Sequence, residues 1–167
     1  MTAISLRPFL PADADALSEL YRASIHELAA EDYDEAQIFA WASLGEDEDA
    51  FGKRLSEGLT LVAMLEGEIV GFASLKGKDV IDMLYVHPDA ARMGVATTLV
   101  DALEKLAGAR GATSVTTDAS ETASPFFVRR GYTPLARNTV LVDDEWLANT
   151  SMKKDLAANS NVKGAKR

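Results

Sequence analysis

Apolar and polar residues alternate with two different periods in the first third of the chain. At Ile4–Arg7 the period is two residues, which predicts a short strand. After Asp13 the apolar residues recur every three or four positions, which predicts an amphipathic helix. Asp34 has the side chain of a helix N-cap and precedes a second helical pattern that runs through Trp41. A third short helix is predicted at 51–55.

The rest of the chain has the pattern of strands separated by two helices. The apolar runs at 59–65 and 69–75 flank the turn Glu66-Gly67-Glu68, which predicts a hairpin. Further strands are predicted at 80–86, 114–117, 133–142 and 146–153, and helices at 97–107 and 124–130. A hairpin followed by a strand–helix–strand–helix unit predicts an α+β fold with a mixed sheet. We expect one domain over 1–155 and a flexible tail over 156–167.

Composition excludes several kinds of chemistry. The 167 residues include no cysteine, which excludes disulfides, a thiolate nucleophile and zinc held by cysteines. Because His26 and His87 are the two histidines, we expect no metal site. No apolar run approaches the roughly 20 residues that span a bilayer, and the first residues lack the basic-then-apolar order of a secretory signal. We therefore expect a cytoplasmic protein without a membrane partner.

Negative charge is concentrated in residues 12–58. The chain has a net charge of -9, and this segment holds thirteen acidic residues against three basic ones. Nonspecific binding to nucleic acid depends on lysine and arginine, so we expect no nucleic-acid partner. An acidic segment of this kind suits a solvated surface, and it also suits a site that attracts a cationic partner.

A turn with one glycine, at 92–96, joins an apolar strand to a helix. The first turn of a helix exposes backbone N–H groups and carries partial positive charge, so it can hold a phosphate. A P-loop needs Lys-Ser/Thr at this point, whereas Val95-Ala96 follows Gly94. A dinucleotide-binding turn needs three glycines. The remaining interpretations are the pyrophosphate turn of an acyl-CoA-dependent transferase and a plain strand–helix connection.

The segment around this turn resembles a known family. Ile81–Val100, IDMLYVHPDAARMGVATTLV, resembles motif A of the GNAT superfamily of N-acetyltransferases. Other segments match it in order: the strand at 69–72, DYDEAQIFAWA at 32–42, and TDASETASPFFVRRGY at 117–132. The resemblance covers about residues 3–154 and is greatest for the YafP-like branch. It implies a three-layer α+β fold with a mixed, mostly antiparallel sheet of about six to seven strands flanked by helices.

The same resemblance implies acetyl-CoA as a co-substrate and assigns its contacts. In this family the backbone of the motif-A strand binds the pantetheine arm, and the turn after it binds the pyrophosphate. The residues carried over to the pantetheine are Leu84, Tyr85 and Val86, and those carried over to the pyrophosphate are Arg92, Met93, Gly94, Val95, Ala96 and Thr97. Ser124 and Phe127, on the late helix, are carried over to the same coenzyme site.

The chain departs from the family pattern at two places. Ala91 stands where Gln or Arg is usual, and Arg92 is the neighbouring residue that can supply a cation. Phe127 stands where the family has a Tyr near the thioester sulfur, so that residue cannot donate a proton. The candidates to replace it are Ser120, which aligns with a frequent Asn of the family, and Ser124 and Tyr132.

Two aspartates are the candidates for a general base. Acetyl transfer needs a neutral amine, and an alkylammonium has a pKa near ~10.4, so a base is useful. Asp82 interrupts an apolar strand, and the two-residue period predicts that it faces the same side as Leu84 and Val86. Asp118 ends the next strand. The structural alternatives are a hydrogen-bonded Asp at the strand's edge for Asp82 and a cap for the next helix for Asp118.

The acceptor pocket is predicted from the second helix. Tyr33, Gln37 and Trp41 are spaced by four residues and so share one helical face. They suit an aromatic-lined acceptor pocket, with His26 and Trp146 as further lining candidates, and core packing is the alternative.

We therefore expect an acyl-CoA-dependent N-acetyltransferase in which a primary amine attacks acetyl-CoA directly, with Asp82 or Asp118 as the base. The acceptor is a small molecule or a protein amine, and a homodimer remains an option. Ala91 and Phe127 suggest the alternative of an acetyl-CoA-binding sensor that has lost catalysis. An enzyme that acts on aminoacyl-tRNA is disfavoured by the net charge of -9.

Overall fold

The computed structural model describes residues 3–157, which form a seven-stranded sheet with helices on both of its faces. The strands are β1 (Ser5–Pro8), β2 (Leu59–Leu65), β3 (Glu68–Lys76), β4 (Val80–Val86), β5 (Ser114–Ser120), β6 (Thr133–Val142) and β7 (Glu145–Asp155). The helices are α1 (Ala14–Leu28), α2 (Glu35–Ala42), α3 (Glu48–Glu57), α4 (Val95–Ala109) and α5 (Ser124–Arg129). No helix in this described part is long and apolar enough to cross a membrane.

The sheet has the order β1-β2-β3-β4-β5-β7-β6. Its neighbouring strands are antiparallel except β4 and β5, which are parallel because α4 connects them. The predicted mixed, mostly antiparallel sheet is therefore confirmed. Leu156, which the sequence assigned to the tail, donates its backbone N–H to Thr113 and packs against the core. The rest of the predicted tail, 158–167, lies outside the described residues.

Two apolar cores hold the layers together, one on each face of the sheet. On one face the buried side of α4, with Val95, Leu99 and Leu103, packs against β3, β4 and β5. On the other face, α1 and α3 place Leu17 and Leu55, both fully buried, against the sheet. These helices form because their apolar residues repeat at helical spacing, and burial of that stripe stabilises them more than intrinsic propensity does.

The second helix is fixed at its first turn by a reciprocal pair of hydrogen bonds. The Asp34 carboxylate accepts from the Gln37 backbone N–H at 2.8 Å, and the Gln37 side chain accepts from the Asp34 N–H at 2.9 Å. This capping box satisfies two donors that the helix cannot satisfy itself. The predicted N-cap at Asp34 is confirmed.

The sheet opens between β4 and β5. Ladder pairing between them is limited to Val80 with Thr116 and Ile81 with Thr117, and the Thr117 hydroxyl donates to the Ile81 carbonyl at 3.0 Å. Beyond that point β4 stays paired with β3, and β5 stays paired with β7, so the two strands diverge. The divergence leaves the β5-facing backbone of the second half of β4 without a neighbouring strand.

A bulge in β4 corrects the predicted direction of Asp82. Ser74 pairs with Met83 and Leu75 pairs with Ile81, so Asp82 is the extra residue of the bulge. A bulge breaks the two-residue alternation, which is why the prediction that Asp82 faces the same side as Leu84 is wrong. Leu84 packs with the core under α4, whereas Asp82 reaches toward α3.

Candidate functional site

The gap between β4 and β5 joins a cavity and a groove. The cavity has a volume of about 290 Å³ and lies on the side of α1–α3. The groove has a volume of about 570 Å³ and runs to the N-terminus of α4. Both are lined by the same five residues, which mark where they meet: Trp41, Leu84, Tyr85, Ser120 and Ala123. A molecule in the groove can therefore present one end to a second molecule in the cavity.

The turn before α4 has the geometry of an anion site. Gly94 is the N-cap with φ +86°, and Arg92 also has a positive φ of +67°. A left-handed backbone is easy for glycine and strained for other residues. The Thr98 backbone N–H bonds back to the Gly94 carbonyl at 3.0 Å. This is the first hydrogen bond of the helix. The backbone N–H groups of the residues before Thr98 have no carbonyl partner within the helix, so they can point at a negative charge.

Most of the residues predicted to bind a coenzyme line the groove. They are Leu84, Tyr85, Val86, Arg92, Gly94, Val95, Ala96 and Thr97. Met93 is absent from the lining, and its side chain is 53% exposed. Ser124 is also absent from the lining, and its hydroxyl donates to the Ser120 carbonyl at 2.9 Å. Phe127, at 2% exposure, lines the cavity instead of the groove.

The structure adds groove residues that the sequence interpretation did not include. The inner side of the groove is formed by α1, through Ser24, Ile25 and Leu28. Arg129, on α5, brings a second cation to the groove in addition to Arg92. Its position three residues after Phe126, which also lines the groove, was the signal that could have identified it, because such residues share a helical face.

Asp82 lines the cavity as part of an ion pair. Both of its carboxylate oxygens accept from Arg54 of α3, at 2.9 Å from Nε and 3.2 Å from a terminal nitrogen. This fork geometry is the strongest arrangement for an arginine and a carboxylate. The pair therefore ties α3 to the bulge of β4 and occupies the oxygens that a base would use.

Asp118 lines the same cavity in a different environment. It is exposed, and its Oδ1 accepts from the Ser151 hydroxyl at 2.7 Å. Asn138 in turn donates to the Ser151 hydroxyl at 2.8 Å. The chain of bonds runs across β5, β7 and β6, so Asp118 does not cap α5 as its structural alternative assumed.

The three candidates for a proton donor are separated by the structure. Ser120 lines both the cavity and the groove, and its oxygen accepts from the Ala123 N–H at 3.0 Å. That bond leaves its hydroxyl proton able to donate. The Tyr132 hydroxyl instead bonds Glu104 of α4 at 2.7 Å, and burial together with this carboxylate raises the pKa of Tyr132. Ser124 is occupied by its bond to the Ser120 carbonyl.

The residues predicted for the acceptor pocket divide into two groups. Tyr33 and Trp41 line the cavity, whereas Gln37 and His26 do not. The Gln37 amide is used by the cap of α2 and by a bond to the Trp146 carbonyl at 2.8 Å. His26 is exposed on α1 and lines a separate hollow. Gln37, His26 and Trp146 therefore lie outside the lining of this cavity, and Trp146 is itself 59% exposed.

Tyr33 also holds the cavity together. Its hydroxyl donates to the Ala148 carbonyl at 2.7 Å and accepts from the Glu121 N–H at 2.8 Å. Burial raises the pKa of Tyr33, so this hydroxyl stays protonated. The segment between α1 and α2 is thereby fixed to β7 and to the loop after β5, and it closes one wall of the cavity.

A family model named "Acetyltransferase (GNAT) domain" matches residues 29–156. The chain belongs to the GNAT acetyltransferase family. The sequence is also 33% identical over 153 residues to a curated relative in Escherichia coli K12, "Uncharacterized N-acetyltransferase YafP". That match covers 92% of this chain and 97% of the relative. The resemblance to GNAT proteins and to YafP that the sequence suggested is confirmed.

Solved structures agree with this assignment. A GCN5-related N-acetyltransferase from Rhodopseudomonas palustris is 58% identical, with a TM-score of 0.90 over 91% of this chain and 95% of that one. The PaiA N-acetyltransferase of Thermoplasma acidophilum, solved with coenzyme A, has a TM-score of 0.77 at 19% identity, covering 92% and 99%. YncA of Salmonella typhimurium, solved with acetyl-CoA, has a TM-score of 0.63 at 20% identity, covering 94% and 96%. The last two support the fold of this GNAT chain.

Proposed function

We propose that this GNAT protein transfers an acetyl group from acetyl-CoA to a primary amine. The observation that supports this most is the gap between β4 and β5, which joins a groove at the N-terminus of α4 to an acid-containing cavity. A groove for the coenzyme and a cavity for the acceptor must meet at one point for transfer to occur. Two proteins of the same fold were solved with coenzyme A or acetyl-CoA, which is consistent with this use of the groove.

The backbone of β4 and the N-terminus of α4 are proposed to bind the coenzyme. The divergence from β5 leaves the edge of Leu84–Val86 available to hydrogen-bond an amide-containing arm. The free N–H groups around Gly94 and the partial charge of the helix suit a diphosphate. Arg92 and Arg129 add two cations in the same groove. The two arginines together compensate for Ala91, which lacks the polar side chain that the family usually has at this position.

Asp118 is the favoured base, and Asp82 is the alternative. Acetyl-CoA supplies the thioester; the amine nitrogen attacks its carbonyl carbon, the C–S bond breaks, and CoA leaves as the thiolate, which then takes a proton from water. A carboxylate beside the nitrogen holds the ammonium form and takes up the proton that the nitrogen loses. Asp118 has one protein hydrogen bond in the described part of the chain, whereas Arg54 binds both oxygens of Asp82. Asp118 therefore has more oxygen lone pairs free to accept a proton than Asp82 has.

Ser120 is proposed to stabilise the leaving sulfur. It lies where groove and cavity meet, and Phe127 leaves no acidic proton at the position that carries a Tyr in the family. A thiol has a pKa near ~8.5 by analogy with cysteine, so the sulfur leaves readily and one donated hydrogen bond suffices. Phe127, which is buried beside Phe126 and Tyr132, excludes water from the same point.

The experiment that tests the proposed function is a panel of amines with acetyl-CoA, followed by thiol release. Turnover with any primary amine supports the transferase. Binding of acetyl-CoA without turnover across the panel would favour the sensor instead, in which Phe127 and Ala91 mark the loss of catalysis.

The coenzyme site is tested by Gly94→Glu. A carboxylate at the N-terminus of α4 repels phosphates and occupies the turn, so we expect CoA binding to weaken at least tenfold, or about 1.4 kcal/mol. Gly111→Glu is the matched control, because Gly111 also has a positive φ (+91°) and open space around it but lies beyond the other end of α4. Calorimetry with CoA measures both variants. Equal affinity in the two would remove the phosphate assignment.

A further inference from the structure

We infer that the cavity accepts a small amine that is cationic at neutral pH, has an apolar or aromatic body and carries no carboxylate of its own. This inference rests on the proposed function and adds the class of acceptor. Three observations support it: the size of the cavity, the arrangement of its aromatic rings, and which of its charged residues are already paired.

The cavity limits the size of the acceptor. Its volume of about 290 Å³ equals the share of roughly ten water molecules in the liquid. An amine with a single ring or a short chain fits this space. A folded protein surface or a multi-ring sugar does not fit inside it, so such an acceptor would have to insert only a side chain or a terminus.

One wall of the cavity is formed by aromatic side chains whose polar atoms already make hydrogen bonds within the protein. Tyr33 and Trp41 are packed edge to face with centroids 5.3 Å apart, and Trp41 is 6.3 Å from Tyr85. The Trp41 Nε1 donates to the Tyr85 hydroxyl at 3.3 Å, and the Tyr33 hydroxyl donates to a backbone carbonyl. The rings therefore offer π faces and edges to an acceptor. Such faces attract an apolar body or a cation.

Strands β6 and β7 add an aliphatic part to the wall of the cavity. Val140 and Val142 of β6 and Leu147 of β7 form it, and the polar Asn149 of β7 lies in the same lining. Leu147 is 5% exposed and belongs to the core, whereas Val140 is 41% exposed at the mouth. An acceptor that contacts this part of the wall and the rings sheds water from its body at both contacts. This loss of water favours an apolar body over a polar one.

The charged residues of the cavity favour a cation and disfavour an anion. Among the described residues in its lining, Arg54 is the one cation, and Asp82 already binds it through both oxygens. Asp118 remains as a negative charge with unused acceptor capacity. An ammonium group finds a partner there, whereas a carboxylate on the acceptor would meet the like charge of Asp118 and an arginine whose Nε and one terminal nitrogen already bind Asp82.

The test uses three primary amines that differ in one group: 2-phenylethylamine, phenylalaninamide and phenylalanine. The amide has nearly the size of the amino acid without its negative charge. We expect kcat/KM, expressed per concentration of neutral amine, to be at least tenfold lower for phenylalanine than for phenylalaninamide, and 2-phenylethylamine to be the best of the three. In Asp118→Asn the absolute rates fall, and the ratio between phenylalaninamide and phenylalanine shrinks several-fold because the repelling charge is gone.

Two outcomes would overturn the inference. One is equal or better turnover of phenylalanine. The other is turnover confined to large acceptors such as peptides or aminoglycosides. If none of the amines is turned over, calorimetry on the CoA-loaded protein decides: binding of 2-phenylethylamine in preference to phenylalanine would support the inference while the transferase proposal fails. Absence of that preference would overturn the inference as well.

Discussion

At the scale of single residues, two aspartates of the same cavity differ because of their neighbours. Asp82 is held by Arg54 through two short bonds, and Asp118 is exposed beside one serine hydroxyl. The carboxylate of Asp82 therefore stabilises the structure through its ion pair, whereas the carboxylate of Asp118 can still accept a proton. Neither role can be assigned from the identity of the residue, since both aspartates lie within strands.

The exchange of each aspartate for asparagine separates these roles. Asp118→Asn keeps the size and one hydrogen bond but removes the base, so we expect kcat to fall by about 100-fold or more. Asp82→Asn loses the ion pair with Arg54, so we expect lower stability and a smaller loss of kcat. Rates across pH 6–9 and urea unfolding measure the two effects. Full activity of Asp118→Asn would exclude it as the base, and loss of the pH dependence in Asp82→Asn alone would assign that role to Asp82.

At the scale of elements, the close approach of α4 to β3 positions the anion site. A Cβ on Gly71 of β3 would lie 2.7 Å from a methyl group of Val95 and 3.0 Å from the Tyr85 carbonyl oxygen. Glycine at this position lets the first turn of α4 lie directly on the sheet. The N-terminus of the helix thereby reaches the place where β4 leaves β5, and the groove forms between them.

Gly71→Ala should therefore destabilise the protein and weaken coenzyme binding together. We expect a loss of about 1–3 kcal/mol, typical of overpacking in a close contact, because Val95 and the β4 backbone must move. Gly52→Ala is the control: its Cβ would meet Ala14 at an ordinary 3.6 Å inside α3, and alanine stabilises a helix interior by about 1 kcal/mol. Urea unfolding and CoA calorimetry measure both. An unchanged stability of Gly71→Ala would contradict this account of the helix position.

At the scale of the whole molecule, charge is distributed unevenly around the two openings. The acidic segment 12–58 contains α1, α2, α3 and their connections, and it supplies the cavity wall with Tyr21, Tyr33, Trp41, Leu44 and Arg54. The groove instead has Arg92 and Arg129. An acidic segment that contributes to the cavity wall would raise the local concentration of a cationic amine. The net charge of -9 would then attract the acceptor as well as keep the protein in solution.

Ionic strength should change the capture of the amine and leave the chemical step alone. For 2-phenylethylamine we expect kcat/KM to fall several-fold between about 0.02 M and 0.5 M salt, since the Debye length drops from roughly 20 Å to about 4 Å. The kcat value should stay nearly constant, because the bound amine is screened little. Steady-state kinetics at saturating acetyl-CoA measures both. A salt-independent kcat/KM would show that the acidic segment does not steer the acceptor.

Local patterns were sufficient to predict most elements and most of the residues that were expected to share the groove. Helical periodicity, the cap at Asp34 and the segment around Gly94 depend on neighbours a few residues away, so each could be recognised in the chain. Predictions failed where a contact between distant elements determines the position or the hydrogen bonds of a side chain. The bulge at Asp82 arises from its pairing with β3, and the use of Gln37 arises from a bond to β7. Neither partner is visible in the local sequence.

The sequence by itself determined the family, the order of strands and helices, and the turn that suits a phosphate, because these follow from short-range periodicity and motif spacing. The tertiary structure decided which way Asp82 points and which aspartate remains available. It also added Arg129 to the groove and removed His26 and Gln37 from the cavity. The physical reason is that a side chain's chemistry depends on what the fold brings within a few ångströms of it, as Arg54 does for Asp82.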